Sequence, residues 1–339
     1  MHADVLAWPR GLASLGVSFD YSGGWHMTNK SIVVLGSLNA DLVIQSDRLP
    51  RPGETLQGSD LSIYPGGKGA NQACAAARLG AAVEMFGFVG QDVFGDLLLA
   101  SLTRCGVNPA GVARSDRATG SAVITVLQNG ENAILLSPGA NASVTASWVE
   151  GLTTNLSAGQ LVLCQLEVPF AAVEALLRIS SEKGARVILD PAPARKLDRE
   201  TLSRAEIVTP NQAECALLLD REGQEPRTVH DGLEACRSLH ERGVRTAIIK
   251  MGALGCVVSN GHQSFTVPAH QVEPVDTTAA GDTFNAGLAA SLALGKDLRA
   301  AVEFGNAAAA ISVTRPGAQS SVPSRLEVER LLQQCVATR

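Results

Sequence analysis

The run Ile32-Val33-Val34-Leu35 consists of four consecutive aliphatic residues and is followed at once by Gly36. It is short and has no polar position, which is typical of a strand in a parallel sheet that is buried on both faces. Similar aliphatic runs, each followed by a helical stretch, recur at 161–166, 187–189, Ile207–Val208 and 247–249. The sequence therefore predicts an α/β fold around a mostly parallel central sheet.

Two segments interrupt this alternation with Asn-Gly dipeptides, which tolerate the positive φ of a tight hairpin turn. Asn129-Gly130 separates two strand-like runs at 121–128 and 131–136, and Asn260-Gly261 separates 255–259 from Ser264–Val267. We expect the second hairpin to close the central sheet with antiparallel strands. The first hairpin, with strand-like stretches at 42–45 and 56–64, predicts a small separate sheet that acts as a lid.

The composition excludes several classes of protein. The chain has 339 residues, of which 45% are hydrophobic and 18% charged, and its net charge of −5 argues against a sequence-independent nucleic-acid binder. We find no run of about 18 apolar residues, so we predict no membrane span. The seven cysteines form no C-x-x-C pair or Cys/His cluster, which favours free thiols and a cytoplasmic location.

The chain organisation predicts one domain with a lid. Residues 1–27 show no sustained period and are interpreted as a disordered N-terminal extension, whereas residues 28–337 form the domain. The lid strands are expected from about 40–66 and 119–137. Helices are expected at 281–294, 298–313 and 324–336, the last with Ser324 as N-cap and Glu327 at the capping-box position.

The first motif that can carry chemistry is Gly66-Gly67-Lys68-Gly69-Ala70-Asn71, before a helical stretch at 72–79. Its glycines allow close backbone approach to a ligand, and the helix start offers free amide donors for a sugar or a phosphate. The order is neither that of a Walker A loop nor G-x-G-x-x-G, which argues against a nicotinamide oxidoreductase. An ordinary glycine turn before a helix would explain the same residues.

The second motif is Asp276-Thr277-Thr278-Ala279-Ala280-Gly281-Asp282-Thr283-Phe284-Asn285, at the start of an Ala-rich helix. Small residues there leave the amides of the helix N-terminus open to an anion. A carboxylate in the first turn can accept a proton from an attacking hydroxyl, a pairing that suits phosphoryl transfer. The alternative is a carboxylate that only complements the helix dipole.

A third motif is Asn211-x-x-Glu214, directly after the predicted strand at 207–208. An amide and a carboxylate at this spacing share one face of a helical turn and can point together at Mg²⁺-bound water or phosphate oxygens. A capping box, with Asn211 as N-cap, is the structural alternative, and it does not exclude the chemical role.

Together these motifs resemble the signatures of the PfkB-type carbohydrate kinases, and the resemblance runs from about residue 31 to 323. Further segments at 36–41, 165–167, 191–194 and 314–319 are similar to the ribokinases within that family. The resemblance implies a ribokinase-like three-layer α/β/α fold with a β-sheet lid. It also implies transfer of the γ-phosphoryl group of ATP to O5 of D-ribose, with 2-deoxyribose, another pentose or a nucleoside as alternative acceptors.

The resemblance also implies a role for each matching position. The catalytic group would comprise Asp282 as base and the anion hole Ala279, Ala280 and Gly281. The sugar would be held by Asn39, Asp41, Gly67, Lys68, Gly69, Asn71, Glu167 and Asp282. ATP with Mg²⁺ would contact Asn211, Glu214, Lys250, Gly252, Gly255, Gly281 and Asn306. An activating K⁺ would be enclosed by Asp276, Thr278, Ser312, Arg315, Gly317 and Ser321.

Two further expectations complete the prediction. Asp190 precedes Pro191 where close relatives often have Asn, a departure that does not affect the proposed base. An exposed edge of the lid sheet would favour aggregation unless it is covered, so we expect a homodimer joined through the lids. A sugar sensor that kept the fold without catalysis remains an alternative, against which the retained Asp282 argues.

Overall fold

The computed structural model of the chain describes residues 17–19, 25–27, 31–129 and 131–337. The strands are β1 (Val17–Phe19), β2 (Trp25–Met27), β3 (Ile32–Leu35), β4 (Asn39–Ser46), β5 (Ser62–Gly66), β6 (Val83–Gly90), β7 (Asn108–Ser115), β8 (Gly120–Leu127), β9 (Asn132–Ser137), β10 (Leu161–Cys164), β11 (Arg186–Leu189), β12 (Ile207–Val208), β13 (Thr246–Lys250), β14 (Cys256–Ser259) and β15 (Ser264–Val267). The helices are α1 (Lys68–Arg78), α2 (Val93–Cys105), α3 (Ala146–Glu150), α4 (Phe170–Lys183), α5 (Arg199–Arg204), α6 (Gln212–Leu218), α7 (Val229–Glu241), α8 (Ala280–Ala293), α9 (Leu298–Ser312) and α10 (Arg325–Ala337).

The central sheet has nine strands in the order β15-β14-β13-β12-β11-β10-β3-β6-β7. Neighbouring strands from β13 to β7 are parallel, and the hairpin of β14 and β15 adds two antiparallel strands at the edge. All five predicted aliphatic runs form strands of this sheet, although the run at 161–166 forms a strand only to Cys164. The prediction that the second hairpin closes the sheet is confirmed.

The sheet is buried on both faces because each strand alternates its side chains between two helical layers. Ile32 and Val34 pack in one hydrophobic cluster with α1, α2, α8, α9 and α10. Val33 and Leu35 pack in the other, with α3, α4, α6 and α7. The four strand residues are at most 1% exposed, so β3 has no solvated face. The predicted α/β/α fold with a mostly parallel sheet is confirmed.

The lid is a separate sheet of four strands in the order β5-β4-β8-β9. β4 and β8 are parallel, while β5 and β9 flank them as antiparallel partners. The predicted strand at 56–64 is wrong over 56–61, since β5 begins only at Ser62, after the turn-forming residues Gly58, Ser59 and Asp60. Gly130 of the predicted Asn-Gly turn lies outside the described residues.

The two ends of the chain carry the remaining predicted segments, namely the C-terminal helices and the N-terminal extension. Helices α8, α9 and α10 match the three expected C-terminal helices, and Ser324 and Glu327 exchange the hydrogen bonds of a capping box. Within the predicted N-terminal extension, β1 and β2 pair as a two-stranded antiparallel sheet. All other residues of the predicted extension lie outside the described residues.

Candidate active site

Asp282 lies in the first turn of α8 and is 4% exposed. Its Oδ2 accepts a hydrogen bond from Asn71 Nδ2 at 3.2 Å, and its Oδ1 accepts one from Gln72 Nε2 at 3.0 Å. Burial raises the pKa of the carboxyl, and the nearby Lys68 ammonium opposes this rise. A buried carboxylate with a raised pKa is well suited to accept a proton from a hydroxyl group.

A second buried carboxylate, Asp190, is linked to the first by a shared amide. Gln72 Nε2 donates to Asp190 Oδ2 at 3.0 Å as well as to Asp282, and Gln72 Oε1 accepts from Gln165 Nε2 at 2.7 Å. Asp190 Oδ1 forms an ion pair with Lys250 Nζ at 3.1 Å. The side chain of Gln72 is therefore fixed from both ends and holds the two acids at a defined separation.

Lys68, the first residue of α1, lies among four acidic groups. Burial acts to lower the pKa of its ammonium group, but the surrounding carboxylates outweigh this and raise it. The acids are Asp282, Asp190, Glu167 and Glu214. Lys68 therefore carries a permanent positive charge between the residues predicted to hold the sugar and those predicted to hold ATP. α1 begins at Lys68, earlier than the sequence predicted, because the Asn71 amide already donates to the Gly67 carbonyl in the first helical turn.

The lid contributes Asn39 and Asp41, two residues apart on β4 and hence on the same face of the sheet. Burial, followed by the nearby charge of Glu167, raises the pKa of Asp41 to about 7. Glu167 Oε2 accepts a hydrogen bond from the backbone amide of Lys68 at 3.0 Å and one from the Ser37 hydroxyl. The lid strand, the glycine motif and the segment after β10 therefore meet around Glu167.

Gly67 makes this convergence possible. Its φ of 88° lies in the left-handed region, and a Cβ there would lie 2.8 Å from both the Asn39 amide nitrogen and the Ser37 carbonyl oxygen. Only glycine fits such a position without strain or collision. Gly69 faces elsewhere, because its backbone packs on Gly36 and its amide donates to the Ser37 hydroxyl at 3.4 Å.

The N-terminus of α8 carries the predicted anion hole. Ala279 adopts φ 58°, the left-handed conformation that non-glycine residues rarely take outside functional sites. The amide of Ala280 donates to the Thr277 carbonyl at 3.2 Å, so it is engaged in this structure. Among the described residues, the amides of Ala279 and Gly281 donate to no backbone acceptor. These two amides are available to an anion.

A cleft of about 950 Å³ opens beside this helix start. It is large enough for a nucleotide. All seven residues that the sequence assigned to ATP line it, together with the four catalytic positions: Asn211, Glu214, Lys250, Gly252, Gly255, Gly281, Asn306, Ala279, Ala280 and Asp282. Lys68 lines the same cleft, which therefore reaches a residue that the sequence assigned to the sugar.

Asn211 and Glu214 form a complete capping box at the start of α6. Asn211 Oδ1 accepts from the Glu214 amide at 2.8 Å, while Glu214 Oε2 accepts from the Asn211 amide at 2.7 Å and Oε1 accepts from Asn211 Nδ2 at 2.9 Å. Burial raises the pKa of Glu214, and Lys250 opposes this. The capping role is present, and the carboxylate still borders the cleft.

The six residues predicted to enclose K⁺ lie on two adjacent segments, 276–278 and 312–321, the second of which begins with the last residue of α9. Asp276 Oδ1 accepts from the Thr278 amide at 2.9 Å, and Oδ2 accepts from the Gly317 amide at 2.8 Å. The hydroxyl of Ser312 donates to the Ala309 carbonyl within α9, and that of Ser321 donates to the Ala318 carbonyl within its loop. The guanidinium of Arg315 points away, in an ion pair with a glutamate of α10. The Asp276 side chain therefore joins these two segments.

The described part of the chain offers two further findings. Among residues 31–129 and 131–337, no group of three or more His, Cys, Asp or Glu side chains is arranged to hold a metal ion. None of the described helices is both long and apolar enough to cross a membrane.

The sequence did not identify Gln72 or Asn141 as site residues, and it drew attention to Asp190 only as a difference from close relatives. Asn141, which follows the lid, hydrogen-bonds to Asn39. Gln72 stands beside Asn71 in a recognised motif, which could have drawn attention to it. Asn141 is brought to the site by pairing over a large separation in the chain, so no local pattern could have identified it.

Comparison with known proteins agrees with this geometry. Residues 29–325 match the model of the pfkB family carbohydrate kinases. The chain belongs to this family. The matched region covers both halves of the site, so the kinase carries its lid and its cleft within the family domain. The predicted resemblance is thereby confirmed.

Several individual relatives are similar to this kinase over nearly their whole length. It is 40% identical over 305 residues to the ribokinase of Haemophilus influenzae, a match that covers 90% of this chain and 99% of the relative. It is 42% identical over 308 residues to the ribokinase of Schizosaccharomyces pombe, with 88% and 96% covered.

Solved structures of similar fold include two further ribokinases. The Thermotoga maritima ribokinase superimposes with a TM-score of 0.82 at 37% identity, covering 89% of this chain and 99% of the other. The Arabidopsis thaliana ribokinase, solved with ribose and ATP, gives 0.81 at 30% identity, with 90% and 99% covered.

Proposed function

We propose that this kinase transfers the γ-phosphoryl group of ATP to O5 of D-ribose, giving ribose 5-phosphate and ADP. The observation that carries the proposal is the position of Asp282, buried at the head of α8, where it borders the cleft and accepts a hydrogen bond from Asn71 of the glycine motif. The similarity to ribokinases over most of the chain, one of them solved with ribose and ATP, supports this choice of substrates.

The chemical role of each group follows from its surroundings. Asp282 accepts the proton of the sugar hydroxyl as the oxygen forms its bond to the γ-phosphorus and the bond to the ADP oxygen breaks. The free amides of Ala279 and Gly281, with the ammonium of Lys250 close to Gly281, stabilise charge on the transferring group. Gln72 and Asn71 keep the Asp282 carboxylate directed at the hydroxyl.

Mg²⁺ and K⁺ fit the residues that are present. Oxygen ligands suit both ions, and a Mg²⁺ ion would usually retain waters of its own. Glu214 and Asn211 would hold Mg²⁺ through such waters, since both of Glu214's oxygens already accept hydrogen bonds. The loops of Asp276 and Gly317 would hold K⁺ with backbone carbonyls. Mg²⁺ supplies charge neutralisation of the phosphates, and K⁺ supplies positive charge near the anion hole.

A homodimer through the lids and a cytoplasmic location are part of the same proposal. One face of the lid exposes paired apolar side chains, with Leu135 75% and Val123 45% exposed. Burying such a patch against a second copy would stabilise both lids. The six cysteines from Cys74 to Cys256 are free thiols, which suits a reducing compartment.

A substrate panel tests the proposed function. ADP release is measured with ribose, 2-deoxyribose, other pentoses and adenosine, each in K⁺ and in Na⁺. We expect the highest kcat/KM with ribose, and a higher rate in K⁺. An equal or higher kcat/KM with 2-deoxyribose or adenosine would overturn the choice of ribose. Sugar binding without ADP release for any acceptor would point to a sensor.

A further inference from the structure

Asn141 lies in a short 3₁₀ segment, Gly139–Ser143, directly after the last lid strand, and it is 2% exposed. Its side chain makes three hydrogen bonds across the lid hinge. Oδ1 accepts from the Leu38 amide at 2.9 Å, and Nδ2 donates to the Leu38 carbonyl at 3.1 Å and to Asn39 Oδ1 at 2.7 Å. One side chain therefore joins the exit of β9 to the start of β4.

These contacts fix the orientation of two amides in succession. A backbone N–H can only donate and a carbonyl can only accept, so the two Leu38 groups determine which end of the Asn141 amide carries oxygen. The Asn141 NH₂ group then requires an acceptor, and Asn39 must turn its Oδ1 toward it. Gly120 allows this contact, because a Cβ there would lie 2.2 Å from Asn141 Nδ2.

These contacts also determine what the NH₂ end of the Asn39 side chain can do. With Oδ1 engaged, the Nδ2 group remains, and it donates to none of the described residues. Asn39 is 4% exposed, yet its Nδ2 is not among the fully buried atoms without a partner. The donor therefore borders open space on the face of β4 that also carries Asp41.

We infer that Asn141 is a positioning residue for sugar recognition: it holds Asn39 so that the Asn39 NH₂ group donates to a sugar hydroxyl. This rests on the proposed function, in which Asn39 contacts the sugar. Asp41, when ionised, can only accept hydrogen bonds, so β4 presents one donor and one acceptor to the ligand. A hydroxyl can satisfy both at once, whereas an analogue that lacks it leaves both unpaired.

The test replaces Asn141 by Asp and measures sugar binding by calorimetry. In Asn141→Asp, the carboxylate still accepts from the Leu38 amide but no longer donates, so Asn39 reverses and presents oxygen to the sugar. We expect the Kd for ribose to rise about three- to tenfold, the size of one neutral hydrogen bond. For the 1-, 2- or 3-deoxyribose that lacks the contacted hydroxyl, we expect a change below about twofold.

A matched control separates recognition from stability. Asp92 forms a similar clamp at the neighbouring hinge, accepting from the Thr119 amide at 2.8 Å and the Thr119 hydroxyl at 2.6 Å, and it contacts none of the proposed sugar residues. Asp92→Asn should lower the melting temperature but leave the ratio of ribose to deoxyribose affinities unchanged. An equal loss for all sugars in Asn141→Asp, or no loss for ribose, would overturn the inference.

A second variant serves if Asn141→Asp does not fold. In Asn39→Asp, Asn141 still donates to one carboxylate oxygen, and the other oxygen replaces the donor that faces the sugar. We expect a loss of ribose affinity of at least about tenfold, since a charged acceptor then meets Asp41. Unchanged affinity would mean that Asn39 presents oxygen to the sugar in the wild type.

Different results would contradict the proposed reaction and the inference about Asn141. Calorimetry reports on sugar binding whether or not phosphate is transferred. If the wild type binds ribose but releases no ADP, the proposed reaction is wrong while the orientation of Asn39 is still measured. If ADP is released with ribose and the Asn141→Asp effect is the same for every deoxy sugar, only the inference about Asn141 is wrong.

Discussion

The central sheet and the lid sheet are built from similar aliphatic residues, but they differ in what covers them. In the body, Val162 of β10 is fully buried between two helical layers. In the lid, Val123 of β8 is 45% exposed, and Leu135 opposite it on β9 is 75% exposed. The body holds the proposed base in a hydrogen-bond network, whereas two of the proposed sugar residues, Asn39 and Asp41, lie on the partly uncovered lid sheet. The covered sheet therefore supports the proposed chemistry, and the lid contributes part of the proposed recognition.

The largest effect is expected in the body, at the proposed base. Asp282→Asn removes the proton acceptor but keeps the shape of the side chain, so we expect kcat to fall by about 10²- to 10⁴-fold with ribose affinity nearly unchanged. Steady-state kinetics and calorimetry on the same preparation measure the two quantities. Retention of near-wild-type kcat would show that another group takes the proton.

The second prediction compares one substitution in the two sheets. Val162→Asp buries a carboxylate without a partner and should lower the free energy of unfolding by about 4 kcal/mol or more. Val123→Asp, in the lid, should lower it by less than about 1 kcal/mol. Urea unfolding of both variants measures the difference. Similar losses at the two positions would contradict the division between a covered and an uncovered sheet.

The third prediction concerns the pH dependence of recognition by the lid. With a pKa of about 7, Asp41 loses its charge as the pH falls, and a protonated carboxyl accepts sugar hydroxyls poorly. The ionised fraction drops about tenfold between pH 8 and pH 6, so the KM for ribose should rise by about the same factor. Asp41→Asn should raise the KM at pH 8 and remove this pH dependence. A pH-independent KM in the wild type would contradict the assignment.

The same shift has a consequence for stability. The pKa of Asp41 in the folded protein lies above its ordinary value of 3.8, so folding takes up a proton between these pH values. The resulting stability is fully present below about pH 4 and is lost as the pH rises through 7. Sugar-free Asp41→Asn should therefore melt at a higher temperature than the wild type at pH 8, and at a similar one near pH 4.

The last prediction concerns the outer face of the lid. Leu135→Glu should weaken the proposed dimer by at least about tenfold, because a charge enters an apolar contact. Val93 on α2 is equally exposed, at 76%, so Val93→Glu is a matched control that should leave association unchanged. Light scattering over a range of concentrations compares the two. A wild type that is monomeric at micromolar concentration would contradict the lid contact.

The sequence predicted the body better than the lid, because the strands of the body have a clear pattern of consecutive apolar residues. Runs such as Ile32–Leu35 are apolar throughout, so the burial of their strands can be read directly. The stretch 56–61 places Leu56 and Leu61 around the turn residues Gly58, Ser59 and Asp60, so its apolar ends resemble a strand although its middle does not. In the site, Asp282 lies in a recognisable helix start. Gln72 and Asn141 act through partners far away in the chain, which only the folded topology brings together.

The pairing of β4 with β8 has a consequence for the order of folding. These two strands come from separate excursions of the chain and run parallel: β4 follows β3, and β8 follows β7, on either side of β6 in the body sheet. Contacts of such sequence separation cost much loop entropy, so the lid should assemble late, after the body sheet is in place. Ribose recognition would then be the last property that a refolding molecule regains.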